Sequence, residues 1–201
     1  MKDNLFIEEY WIDENTVDCL SKLCNDLNEN SLLLPGKIGV NGEVNQEMKH
    51  CFEVNLSQVP PQYMEDQFVR YGLQTYVDHL RDKLSVYSDK YMGGLPMCTS
   101  GPPKIQWYPP GGAYFAQHFD NGMEHDHRQI AYITYLTDHK EGGETTFIHQ
   151  NHKVKPQKGK TVFFPAGYTH LHRSEPALEH RVIMTGWFQF FTALDTTPRR
   201  K

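Results

Sequence analysis

Arg181-Val182-Ile183-Met184-Thr185-Gly186-Trp187-Phe188-Gln189-Phe190-Phe191 is the longest β-like run in the chain. Successive side chains of a strand point to opposite faces. Arg181, Ile183, Thr185 and Trp187 therefore share one face, and Val182, Met184, Phe188 and Phe190 share the other. An Arg and a Thr inside an otherwise apolar strand are costly to bury unless an anion lies opposite. That anion is either an internal carboxylate or a ligand.

Shorter runs of the same texture precede it: Ile105–Tyr108, Tyr114–Phe119, Gln129–Leu136, Thr145–Ile148 and Thr161–Phe164. Turn signals separate them at Pro109-Pro110-Gly111-Gly112, Gly142-Gly143, Pro156-Gln157-Lys158-Gly159 and Pro165-Ala166-Gly167. Many short, evenly spaced strands predict a jelly roll or barrel. Tyr91 to Pro103 reads as a Gly/Pro-rich connection. Upstream the period changes. Val17, Leu20, Leu23 and Leu27 predict an amphipathic helix over 14–28, with Asp13 and Asn15 as capping candidates. Val69, Leu73, Tyr76, Leu80, Leu84 and Tyr87 form one stripe of a longer helix within 62–90. Residues 31–60, with Pro35-Gly36 and Pro60-Pro61, read as irregular. The expected fold is α+β, mainly β, in a single domain 1–201. A double-stranded β-helix (jelly roll) core over 101–195 is braced on one face by a helical support region, 1–100.

With 201 residues, 38% of them hydrophobic, and 11 Tyr and 11 Phe, the chain has enough material for an aromatic-walled core. A net charge of −5 argues against a nucleic-acid partner. No apolar run reaches the roughly 20 residues that span a bilayer, so no membrane is expected. The acidic start lacks a signal-peptide core, which makes a cytoplasmic location the expectation. Cys19, Cys24, Cys51 and Cys98 lack zinc-like spacing and read as free thiols.

Two His and one carboxylate on a single face, with positions left open, suit non-haem Fe(II). His118-Phe119-Asp120 places an imidazole and a carboxylate at i and i+2, side by side on an extended segment. The pattern alone is weak. A second instance, His139-Lys140-Glu141, sits in a polar turn where nothing rigid would aim it. A third ligand must come from a distant strand, and both His170 and His172 fit by type. His125 and His127 follow the motif in a segment, 121–127, that reads as a substrate-side loop.

The ordered set of motifs resembles the prolyl 4-hydroxylase branch of the 2-oxoglutarate/Fe(II) oxygenases. It runs from Tyr108-Pro109-Pro110-Gly111-Gly112-Ala113-Tyr114-Phe115-Ala116-Gln117-His118-Phe119-Asp120 through Tyr132-Ile133-Thr134-Tyr135-Leu136-Thr137 and Gly142-Gly143-Glu144-Thr145-Thr146-Phe147. It continues through Val154-x-Pro156-x-x-Gly159 and Phe163-Phe164-Pro165 to His172-x-x-x-Pro176 and Arg181-x-x-x-Thr185-x-Trp187. Thr137 departs from the Asn that many relatives carry. The resemblance implies a Pro four residues and an Arg nine residues after the distal ligand, which Pro176 and Arg181 meet from His172 and not from His170.

The resemblance implies Fe(II) held by His118, Asp120 and His172. It implies 2-oxoglutarate anchored by Arg181 with help from the hydroxyls of Tyr135 and Thr185. Tyr108 and Tyr114 would line the pocket, and Trp187 would face the substrate. It further implies O2 as oxidant, succinate and CO2 as products, and ascorbate as a reductant. The expected substrate is a proline in a peptide or protein, with a free amino acid or small metabolite as the alternative. Oligomeric state is left open. A cupin-like metal-binding module or a zinc hydrolase would explain the triad. The first leaves Arg181 and Thr185 without a reason, and the second lacks a catalytic Glu.

Overall fold

Asp13 starts the first helix. In the computed structural model, which describes residues 5–39, 41–122 and 125–191, its carboxylate accepts hydrogen bonds from the Thr16 amide (2.9 Å) and hydroxyl (2.6 Å) at the head of α1 (Glu14–Glu29). Asp66 caps α3 (Gln67–Met92) in the same way, accepting from Phe68 and Val69. One short turn, α2 (Pro61–Met64), precedes it. At the far end Gly93 adopts the left-handed conformation (φ 65°) that stops α3. The six-residue stripe of α3 is buried against α1 and the sheet.

Eight strands form one antiparallel sheet. Six of them are β1 (Glu8–Trp11), β2 (Leu34–Pro35), β3 (Phe52–Asn55), β5 (Lys104–Tyr108), β6 (Ile130–Tyr135) and β9 (Lys160–Pro165); the seventh, β11 (Arg181–Phe190), is the longest. Their order is β1-β9-β6-β11-β5-β3-β2, and β4 (Met97–Thr99) pairs the end of β11. A smaller sheet, β10-β7-β8, comprises His172–Ser174, Thr145–Phe147 and His152–Val154. This is the expected jelly-roll arrangement with helices bracing the large sheet. Even-numbered residues of β11 (Val182, Met184, Phe188) join the helix-side core, and Ile183 joins a second core on the side of the small sheet. A buried polar relay ties the layers: the Tyr76 hydroxyl bonds Thr134, which bonds Thr161, each at 2.9 Å.

The structure corrects several expectations. Residues 31–60 are not wholly irregular, because β2 and β3 extend the large sheet. The connection 91–103 carries β4, and the first hundred residues supply four strands as well as helices. Tyr114–Phe119 is no continuous strand and bends at Ala116. Only Tyr114 and His118 make bridges, because the amides of Phe115 and Ala116 turn to the Met48 carbonyl. Residues 192–195 of the expected core lie outside the described residues. No helix among the described residues is long and apolar enough to cross a membrane.

The helices cross at Gly72, where a Cβ would stand 2.1 Å from Cys19 Cβ. Alanine gains about 1 kcal/mol of helix propensity over glycine, but overpacking a tight contact costs typically about 1–3 kcal/mol. With a backbone-anchored atom in the way, the clash dominates. Gly72→Ala is expected to lower the chemical-denaturation midpoint; an unchanged midpoint would show that the helices separate freely at this crossing.

Candidate active site

A cavity of about 680 Å3 lies between the inner face of the large sheet and the small sheet. It gathers residues distant in sequence: Tyr108, Tyr114, His118, Asp120, His172, Arg181, Thr185 and Trp187 all line it.

Two main-chain hydrogen bonds bring the metal-ligand candidates together. The His118 amide donates to the His172 carbonyl and the His172 amide to the His118 carbonyl, each at 2.9 Å. The two rings lie 4.3 Å apart. Asp120, two residues on, is anchored where its amide donates to Ala166 O (2.9 Å). One ligand atom from each of His118, Asp120 and His172 lies within 4.8 Å of the others. His172 Nε2 is 3.8 Å from Asp120 Oδ2.

The second ring nitrogens are already committed. His118 Nδ1 bonds the carbonyl of Ala116 and His172 Nδ1 that of His170, both at 2.9 Å. A carbonyl only accepts, so each Nδ1 carries the proton and each Nε2 presents a lone pair. This orientation by an outer partner is what a metal-ligating histidine requires. Tyr114 stacks on the His118 ring at 3.7 Å.

Arg181 is 1% exposed. Its Nη1 donates to Gly143 O (2.6 Å), and its guanidinium lies 4.1 Å over the Tyr108 ring. Nε and Nη2 have no protein partner, and no carboxylate pairs with Arg181 among the described residues. The internal salt bridge allowed by the sequence is therefore not made. Gly142 and Gly143, at φ 75° and 76°, shape the turn that offers the carbonyl; a Cβ at Gly142 would stand 2.2 Å from Pro176 O.

Other positions are placed as follows. Thr185 donates its hydroxyl to Tyr132 O (2.8 Å). Tyr135 does not line the cavity itself. Its hydroxyl shares a 2.6 Å hydrogen bond with Thr145, which does. Tyr108 donates to Gln106 Oε1 (2.8 Å). Trp187 lies under the Arg128 guanidinium (3.6 Å). His170 does not share a face with His172: it ends a 3-10 turn (Tyr168–His170), and its Nε2 contacts Leu5 O (2.9 Å). His125 lines the cavity, whereas His139 contacts Thr137 in its turn. Of the 121–127 loop, Met123 and Glu124 lie outside the described residues. The sequence reading missed Lys49, Glu53, Lys104, Gln106 and Arg128, which all line the cavity. Lys49 and Glu53 lie in a stretch read as irregular, and Lys104, Gln106 and Arg128 lie in or beside runs read as strands, so only the polar side chains themselves were available as a signal.

Residues 103–189 match the 2OG-Fe(II) oxygenase superfamily. This segment is similar to the 2OG-Fe(II) oxygenase domain. The fold around it is that of the prolyl hydroxylases. A Pseudomonas putida prolyl-4-hydroxylase superposes with a TM-score of 0.68 at 22% identity, over 93% of this chain and 96% of that one. A Trichoplax adhaerens prolyl hydroxylase, solved with a hypoxia-inducible-factor peptide, gives 0.76 at 14%, over 99% and 89%. A viral collagen prolyl hydroxylase from Paramecium bursaria Chlorella virus-1, in its 2OG complex, gives 0.62 at 20%, over 94% and 98%. No curated protein matches in sequence. The matched segment contains all the cavity residues named from the sequence.

Burial, reinforced by His172, pushes the His118 imidazole down from 6.5 to about 4, against the pull of Asp120. Below pH 6.5 the unfolded chain binds more protons than the folded one, so stability falls with pH until about 4. The metal-free protein is expected to lose up to about 3 kcal/mol to this group across that window. His118→Gln should flatten the pH dependence of the denaturation midpoint; an identical slope in the variant would show that another group is responsible.

Proposed function

We propose that the chain is a 2-oxoglutarate- and O2-dependent Fe(II) hydroxylase acting on a proline in a peptide or protein. One observation carries the reading: a buried, unpaired guanidinium shares a cavity with a His-Asp-His cluster whose free nitrogens converge. A metal-binding module without cosubstrate has no use for that cation, and its burial is unfavourable. The donor set, two imidazoles and a carboxylate, fits Fe(II) with open positions. The prolyl hydroxylase fold supports the substrate class, as does the peptide bound by the Trichoplax relative.

Fe(II) with 2-oxoglutarate supplies the oxidant, turning a substrate C–H into C–OH as O2 is consumed and succinate and CO2 leave. The chain's residues prepare the ground. His118 and His172 offer Nε2 and Asp120 a carboxylate oxygen. Arg181, whose Nε and Nη2 have no protein partner, would hold the distal carboxylate of 2-oxoglutarate, a pairing the planar fork suits. Tyr108 keeps the guanidinium oriented, and the hydroxyls of the Tyr135–Thr145 pair and of Thr185 would help to hold 2-oxoglutarate. Tyr114 holds the His118 ring in place. Ile133, Phe164 and Ile183 wall the cavity with apolar surface and exclude water. Trp187 faces the substrate. Ascorbate serves as the reductant that restores Fe(II), a role the likeness to prolyl 4-hydroxylases suggests.

Anaerobic addition of Fe(II) and 2-oxoglutarate should produce a weak visible charge-transfer band in the wild type and none in His172→Ala. Folded, iron-loaded wild type without the band would defeat the cosubstrate assignment. Arg181→Met should weaken 2-oxoglutarate binding by about 30-fold or more, since an uncompensated buried carboxylate costs ~2–5 kcal/mol. The same change should leave the metal-free protein as stable or more stable. Retained 2-oxoglutarate affinity would assign Arg181 to the scaffold instead.

A further inference from the structure

The cavity is charged unlike the rest of the molecule. The chain has 20 basic and 25 acidic residues. Among the described residues Lys37, Lys49, Lys104, Arg128, Arg173 and Arg181 line the cavity, against Glu53 and Asp120. Arg173 also meets Glu175 (3.3 Å) outside the lining. On the hydroxylase reading the inner site is neutral. The two charges of Fe(II) and one of Arg181 match the two of 2-oxoglutarate and one of Asp120. The positive surplus therefore faces the substrate.

It is concentrated on one wall. Lys49 is 4% exposed, and its ammonium lies 2.6 Å from Glu53 Oε2 and 3.2 Å from the Lys37 carbonyl. Glu53, on β3, is not Lys49's alone: Lys104 on β5 reaches Oε1 at 3.1 Å, and Gln106 donates to Oε2 at 2.9 Å. Two ammoniums share one carboxylate that an amide also occupies. The Lys49 ammonium also lies 5.3 Å from the Tyr114 ring, which itself stacks on His118. The surplus is thus one ring away from the proposed iron. With Glu53 shared, the buried Lys49 lacks a full counter-charge, which is unfavourable without a further anion to meet it.

We propose that the substrate is an acidic peptide whose carboxylates meet Lys49 and Lys104 on this wall; the proposal rests on the hydroxylase reading for the placement of its reacting carbon. A peptide rather than a small acid fits a cavity that stretches from Leu34 and Gln58 past the triad to Gly122 and His125. Glu53 keeps the two lysines in position, and the substrate answers the charge that Glu53 leaves over.

The test uses three labelled peptides of one sequence, with a central proline flanked by Glu, Gln or Lys. Their binding is followed by fluorescence anisotropy, first to metal-free protein and then anaerobically with Fe(II) and 2-oxoglutarate. The Glu peptide is expected to bind about tenfold tighter than the Gln peptide, with the Lys peptide weakest, as charge complementarity dictates. High salt should shrink the preference, and so should the double substitution Lys49→Gln with Lys104→Gln. Equal binding of the three peptides, or preference for Lys, overturns the proposal. So does consumption of 2-oxoglutarate stimulated by free glutamate and by no peptide. The wild-type series decides the matter even if the double variant fails to fold. The two readings separate because anisotropy needs no iron. A missing charge-transfer band with the Glu preference intact overturns only the hydroxylase reading; a band without the preference overturns only this inference.

Discussion

β11 is covered on both faces, and most of the molecule follows from that constraint. It pairs with β5, β6 and β4, so its backbone polarity is met within the sheet. One set of its side chains closes the core under α1 and α3, while the alternate set faces the cavity. Because the side-chain period is two, a one-residue slip would drive Arg181 into the helix-side core and pull Val182 and Met184 out of it. The helices therefore do more than brace the sheet. By burying Val182, Met184 and Phe188 they fix which residues of β11 a ligand meets.

That arrangement accommodates a costly residue. Arg181 keeps a full charge in a nearly dry place, with one carbonyl and one aromatic face for company. Neither removes the desolvation penalty, and two of its N–H-bearing atoms stay open. The large helix-side core, continuous from Ile12 to Phe188, supplies the apolar burial against which such a penalty is tolerable. A fold that spends stability at one inward position has an anion-binding position there, already oriented before any ligand arrives.

Much of this was legible in the chain. Helical stripes announce themselves by period, and all six stripe residues of α3 are buried. The strands that carry alternating or continuous apolar residues were read to within one or two positions. What escaped were β1, β2, β4, β8 and β10, each two to four residues long. Strands that short have no period of their own and exist because a neighbour pairs with them. β3 failed for a related reason: Phe52-Glu53-Val54-Asn55 points Glu53 into a polar cluster, so its inward side does not look like a core side. Glu53 was invisible as a site residue for the same reason, since its partners Lys104 and Gln106 lie 51 and 53 residues away, and Lys49 with it.

The His170 and His172 ambiguity shows what only the fold could resolve. On a continuous strand the two would share a face, but the chain reaches His172 out of a 3-10 turn, and that turn sends the His170 ring toward Leu5. His170 still contributes, through its carbonyl and not its imidazole. The same device recurs at Ala116, whose carbonyl orients His118 from two residues back. His118 and His172 are a bridge pair that exchanges both main-chain hydrogen bonds, so the two devices stand side by side and aim two Nε2 atoms into one space. The metal-ligand geometry is thus a consequence of strand pairing: the backbone sets the distance between the rings, each preceding carbonyl sets the tautomer, and Asp120 completes the set two residues on, where its amide is anchored to the Ala166 carbonyl.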